Sequence, residues 1–193
     1  MSRRGVHWMI FSGVFHRHQK LRMVLTEQPG SWWTDYLAEL DMVYRSAPAR
    51  RVREVVPELP SEACQRSLYV GASFIAPFEA RDAERDGYAD RLLWGSDYPH
   101  VEGTWQAMPD SESPTTHLAL RHALAGRSAD TIRAITGENA ARVYGLDLDA
   151  LHEVAARINA PTVAEVGVPL DIGDIPEGVR EYSLAFRDAD TWV

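Results

Sequence analysis

Three short apolar runs, LRMVLT (21–26), SLYVGASFI (67–75) and RLLWGS (91–96), alternate with stretches of helical periodicity. That alternation constrains the fold more than any other feature of the sequence. Residues 6–18 space Val6, Met9, Ile10, Val14 and Phe15 as a helix does. Residues 31–47 repeat Trp33, Tyr36, Leu37, Leu40 and Val43 at three- and four-residue steps, with Ser31 placed to be the N-cap. FEARDAERDGYAD (78–90) reads as a charged surface helix. Further helices are expected over 115–125, 128–135, 138–144 and 147–158, with Asn139 as an N-cap. The prolines and arginines of 48–60 read as a loop, the Pro-, Gly-, Asp- and Ser-rich stretch 98–114 as a long loop, and 159–193 as an irregular tail. Strands alternating with helices imply an α/β fold with a parallel sheet. Nearly continuous apolar strands imply a sheet covered on both faces.

Charge and cysteine content exclude several functions. Twenty Lys and Arg stand against 28 Asp and Glu, a formal net charge of −8. A nucleic-acid partner would favour a basic face, and the one basic cluster (Arg50, Arg51, Arg53) is short and diluted by Glu54, so no nucleic-acid binding is expected. Cys64 is the single cysteine, which rules out an intrachain disulfide and makes a thiolate metal site improbable. It reads as a small buried apolar residue. No run approaches the ~20 apolar residues that span a bilayer. Arg3-Arg4 before an apolar stretch imitates an export signal, but His7 interrupts that stretch and no small-residue cleavage site follows. The expectation is a soluble cytoplasmic protein with no membrane partner.

In parallel α/β folds the chemistry sits beyond the carboxyl ends of the strands. Those ends supply Glu27, Ser73 and Asp97. A carboxylate directly after a buried strand is costly unless paired, hydrogen-bonded or bound to a metal. Asp97 therefore reads either as a cation ligand and proton acceptor or as a turn-former before Tyr98-Pro99. Glu27 carries the same two readings, with a helix N-terminus close behind it. His100 is an acid, base or substrate contact, or else a solvated loop residue. Trp105 is the best candidate for a pocket wall, whereas Trp33 and Trp94 suit the core. His16-Arg17-His18 has the spacing of a metal-binding pair on a strand, but it lies in a helical segment where positions i and i+2 diverge. His117, His122 and His152 read as surface residues on helices.

SGVFHRHQKLRMVLTE (12–27), SLYVGASF (67–74), LLWGSDYPHVEGTW (92–105) and ITGENAARVYGL (135–146) occur in this order. Together they resemble the carboxyl-terminal half of the amidohydrolase-related family, in its decarboxylase-like branch of metal-dependent hydrolases. The resemblance spans about residues 6–146, and APTVAEVGVPLD (160–171) is similar to an extension of some members. It implies a (β/α)₈ barrel of which this chain holds strands six (LRMVLT), seven (SLYVGASF) and eight (LLWGS) with their helices. Residues 1–146 would be the barrel portion and 147–193 a helix and irregular extension.

The resemblance also implies a divalent metal, commonly zinc, and a small carboxylic acid or related substrate. Asp97 matches the family's metal-binding Asp after strand eight. Glu27 falls where many relatives carry a catalytic His, and His100 and Trp105 would contact substrate. The family's His-x-His pair and middle-strand His have no counterpart in these residues. A catalytic zinc needs about three protein ligands, so the chain alone is expected to bind zinc poorly and to be inactive. Two origins are open: a truncated metal-dependent hydrolase or decarboxylase, or a non-catalytic remnant or split half completed by a partner chain. At 193 residues the chain is shorter than the about 250 of a typical barrel. Three strands with two unpaired edges are expected to make it poorly soluble alone.

Overall fold

Gly13 adopts φ 76°, a left-handed conformation that glycine tolerates best, and it divides the first helical segment into α1 (Arg4–Phe11) and α2 (Val14–Arg17). This computed structural model describes residues 3–28, 30–106, 111 and 113–186. The chain folds as two units, one of Met1–Leu25 and Trp32–Tyr69, the other of Thr26–Ser31 and Val70–Val193.

The first unit is helical around a buried core. α3 (Trp33–Arg45) presents Trp33, Tyr36, Leu37, Leu40 and Tyr44 on its buried face, the positions the three- and four-residue spacing marks. The expected loop at 48–60 instead contains α4 (Arg50–Val55), and α5 (Pro60–Ser67) begins at its last residue. Two of its three prolines fall in the first turn of a helix: Pro48 in a 3₁₀ turn and Pro60 at the start of α5, where the missing N–H removes no helix bond, while Pro57 lies between α4 and α5. Arg53, in α4, donates to the carbonyls of Tyr44 and Ser46. Asp41 on α3 accepts from both the amide and hydroxyl of Ser61, at 2.9 and 2.8 Å. Cys64 is fully buried on α5, and burial pushes its thiol up to about 12.

Three strands, β1 (Met23–Thr26), β2 (Leu68–Ala72) and β3 (Leu92–Trp94), lie in the order β1-β2-β3. β2 and β3 run parallel, with Val70 opposite Leu92, Gly71 opposite Leu93 and Ala72 opposite Trp94. Each strand is shorter than its apolar run, because the flanking residues turn into loops and helix caps. The result is a mixed α/β fold built on a small parallel sheet.

In the second unit, α6 (Pro77–Asp86) follows β2 and ends at Gly87, again left-handed at φ 76°. It is not wholly a surface helix, since Glu79 is only 3% exposed. After β3, α7 (Thr115–Leu124) and α8 (Ala129–Arg133) lead through a π-turn at Ala134–Glu138 into α9 (Asn139–Tyr144). Asn139 is therefore not an N-cap but lies inside a continuing helical path. Fully buried, it donates from Nδ2 to the carbonyls of Ala89 (2.9 Å) and Leu92 (2.7 Å), pinning the helix to β3. Likewise Trp32, not Ser31, occupies the N-cap position of α3.

α10 (Leu148–Arg157) has no buried residue. The tail beyond it carries more order than its sparse periodicity predicts. α11 (Val163–Val166) and α12 (Glu177–Tyr182) form, and Ile175, Val179 and Phe186 join Leu118 and Ala119 of α7 in one apolar cluster. Short helices bury too few residues to leave a long periodic trace. Among the described residues no helix is long and apolar enough to cross a membrane.

Candidate metal centre

The carboxyl ends of β1 and β3 place Glu27 one residue past its strand and Asp97 three residues past. Both have left-handed backbones, φ 54° for Glu27 and φ 60° for Asp97. A side chain bearing a Cβ is disfavoured there by about 1–2 kcal/mol, a cost that falls fully on Glu27 and less on Asp97, because a short aspartate tolerates the region better. For Glu27 the amide donates to the carbonyl of Gly71 on β2 at 3.0 Å, which fixes the start of its turn. For Asp97 the carbonyl accepts from the amide of His100 at 2.8 Å, closing a tight turn through the cis Tyr98–Pro99 peptide.

That turn folds His100 back, with its Nδ1 3.2 Å from Oδ2 of Asp97. The Asp97 side chain is only 11% exposed while that of His100 is 55% exposed. One ligand atom from each of Glu27, Asp97 and His100 lies within 4.8 Å of the others. Two carboxylates at this separation repel by roughly 1 kcal/mol even at the dielectric of water, and more where Asp97 is desolvated. A divalent cation reverses the sign of that interaction. Two oxygens and one imidazole nitrogen are a donor set that zinc and similar cations accept. The residues present thus fit such an ion as part of its coordination shell.

The loop beyond His100 is closed on itself. Thr104 N donates to Ser96 O at 2.9 Å, Gly103 N to His100 O at 3.0 Å, and the Trp105 indole to the same His100 oxygen at 2.8 Å. Trp105 stands edge-on to Tyr98, their rings 5.2 Å apart. Gly103 permits this closure, because a Cβ there would meet Ser96 O at 2.6 Å and His100 O at 3.0 Å. Further out, Thr116 Oγ1 donates to Thr104 O (2.7 Å) and Leu184 N to Glu102 O (3.1 Å).

Of the residues singled out from sequence, Glu27, Asp97 and His100 converge. Trp105 is 42% exposed and reaches the group through its bond to the His100 carbonyl. His16 pairs with Glu58, its Nδ1 3.4 Å from the carboxylate. In the sequence only Asp97 reads as a metal ligand. The return of His100 to Asp97 is signalled only by the four-residue Asp-Tyr-Pro-His spacing around the turn. The burial of Glu79 is concealed by its charged helical neighbours.

The sequence profile of the amidohydrolase family matches residues 3–146, and the chain belongs to that family. Solved structures point to the same family. An amidohydrolase from Mycobacterium avium subsp. paratuberculosis superposes with a TM-score of 0.54 at 28% identity, over 72% of this chain and 32% of its own. The 5-carboxyvanillate decarboxylase LigW from Sphingomonas paucimobilis gives 0.54 at 25% identity, over 74% of this chain and 39% of its own. IDCase from Metarhizium anisopliae, in its apo form, shares the fold with a TM-score of 0.53 at 24% identity, over 73% of this chain and 38% of its own. The chain thus spans about a third to two-fifths of the length of these relatives. No functionally curated protein matches the sequence.

Proposed function

We propose that the chain is the portion of a metal-dependent amidohydrolase-type barrel that carries strands six to eight, as β1, β2 and β3, with residues 147–193 an extension. Glu27, Asp97 and His100 form its share of a divalent-cation site, and zinc is the cation proposed. The observation that carries this reading is the convergence of those three donors within 4.8 Å at the strand ends of a chain of this family. A cation bound there supplies Lewis-acid polarisation and a fixed point for a substrate's anionic group.

The protein's own groups do the rest. Asp97, the least exposed of the three, holds a fixed negative charge against the ion. Glu27 would offer one carboxylate oxygen to the ion, and its second, exposed oxygen would accept or relay a proton in the place of the His that relatives carry. His100 hydrogen-bonds Asp97 and orients it, and Trp105 walls the approach to substrate. The substrate class is a small carboxylic acid, and the reaction a hydrolysis or decarboxylation. Further ligands come from barrel segments outside these residues, in the same polypeptide or in a partner chain, so turnover requires that complement.

The test is a titration of the purified chain with Co²⁺, followed by calorimetry and visible absorption. We expect one Co²⁺ per chain at modest affinity, lost in Asp97→Ala and weakened in Glu27→Ala and His100→Ala. Binding that is the same in wild type and Asp97→Ala refutes the site. Hydrolase or decarboxylase activity is expected only when a complementing barrel segment is added.

A further inference from the structure

Among the described residues, three glutamates cap helices by accepting from the backbone three residues upstream: Glu62 from Leu59 N at 3.0 Å, Glu79 from Ala76 N at 2.9 Å and Glu165 from Thr162 N at 2.7 Å. A cap needs one carboxylate oxygen and no burial. The Glu62 and Glu165 caps are exposed. Glu79 is different: it is 3% exposed, and its second oxygen turns away from its own helix. That oxygen accepts from Gly30 N at 2.6 Å and more distantly from Ser31 N at 3.4 Å, in the segment that follows Glu27. Burying a carboxylate for capping alone would be a poor exchange, since desolvation exceeds what one cap returns.

The segment so held is the one that carries Glu27. Upstream, Glu27 N is tied to Gly71 O. Downstream, Gly30 is tied to Glu79 and lies against β3, where a Cβ would come within 2.9 Å of Leu92 Cδ2. Between these two anchors Glu27 keeps a left-handed backbone, a conformation that a side chain bearing a Cβ holds only at a cost. We infer that Glu79 is a positioning residue: its buried carboxylate latches the β1–α3 segment to the start of α6 and so holds the Glu27 carboxylate towards Asp97 and His100. The inference rests on the reading of those three residues as a cation site.

The experiment is a double-mutant cycle on the full chain with Co²⁺ as the probe, comparing wild type, Glu79→Gln, Glu27→Gln and the double variant. Glutamine keeps the size of the side chain but turns an NH₂ towards a backbone N–H. We expect Glu79→Gln to weaken Co²⁺ binding about tenfold, with the amides of Glu27, Gln28, Gly30 and Ser31 exchanging hydrogen faster. In the Glu27→Gln background the same change should leave Co²⁺ affinity where it is, because its route to the ion has gone. A merely structural role would lower affinity equally in both backgrounds, and that result overturns the inference. Unchanged affinity in Glu79→Gln overturns it as well. Should Glu79→Gln fail to fold, Glu79→Asp is the milder variant: it keeps the charge and is too short to span both segments, and the same outcomes apply. Failure of the wild-type chain to take up Co²⁺ overturns the cation-site reading and the inference with it. Uptake by wild type with no loss in either Glu79 variant overturns the positioning role alone.

Discussion

Replacing Gly103 by Ala tests whether the loop after β3 builds the site or merely lies beside it. An added Cβ would stand 2.6 Å from Ser96 O, 2.9 Å from Trp105 Cδ1 and 3.0 Å from His100 O, whereas ordinary contact begins at 3.4 Å. Two of these neighbours are backbone atoms and cannot rotate away, so the loop must open by about 0.8 Å at Ser96. Three hydrogen bonds meet at the two oxygens: Thr104 N on Ser96, and Gly103 N and the Trp105 indole on His100. Losing one or two of them at about 1 kcal/mol each, with overpacking of about 1–2 kcal/mol, gives a destabilisation of about 2–4 kcal/mol. The same movement withdraws His100 from its 3.2 Å contact with Asp97, so Co²⁺ affinity should fall about tenfold. Urea unfolding followed by tryptophan fluorescence, with a Co²⁺ titration, reads both effects. Gly87→Ala is the control. Gly87 has φ 76° with nothing within 4 Å of the added Cβ, so it should cost about 1 kcal/mol and leave Co²⁺ binding alone. If Gly103→Ala unfolds like wild type and binds Co²⁺ equally well, the close approach is not what shapes the site.

Other expectations follow from the same contacts. Asn139→Ala removes two buried donors and leaves the Ala89 and Leu92 carbonyls unpaired, which should cost about 2–4 kcal/mol in urea unfolding; a loss below about 1 kcal/mol would mean that β3 is held by other means. The Cys64 thiol, raised by burial from 9.0 to about 12, should resist thiol reagents at pH 8 until the chain unfolds, and ready modification of the folded chain would contradict its burial. Because its folded value is the higher one, the stability it contributes is complete below pH 9.0 and is lost as pH rises towards about 12; Cys64→Ala should flatten that part of the pH–stability curve. Burial likewise raises the Glu79 carboxyl, against the pull of its amide donors, so its contribution is complete below pH 4.5 and declines as pH rises through the folded value. Glu79→Gln should remove that slope, and parallel wild-type and variant profiles would show that the carboxyl titrates as it does in the unfolded chain.

What could be read from sequence depended on whether a single periodicity or a single peptide geometry carried the information. α3 was legible because its buried face repeats at helical steps, and the order of strands and helices was legible because each strand is a dense apolar run. Helix α4 was hidden by the prolines around it, which signal a break even when they begin a helix. Asn139 looked like a cap because capping and pinning use the same side-chain amide. Only the three-dimensional path shows that its partners are carbonyls about fifty positions earlier. The three converging donors were half legible. The strand ends named Glu27 and Asp97, but their mutual approach across β2 is a property of the sheet and its turns, which no local pattern encodes.

The two acidic residues of the site share a feature that bears on why the chain is built this way. Each sits in a left-handed conformation within three residues of its strand end, in positions where glycine would be less strained. If these were ordinary turns, the cheaper residue would serve, and neither a buried glutamate on one side nor a close-packed glycine on the other would be needed to hold them. The strain instead turns both carboxylates to the same end of the sheet, and the tight turn to His100 adds a nitrogen beside them. Like charges gathered by strained backbones are unfavourable on both counts unless something positive lies between them. A cation offsets both costs at once, which is the physical reason for treating Glu27, Asp97 and His100 as one site rather than three loop residues.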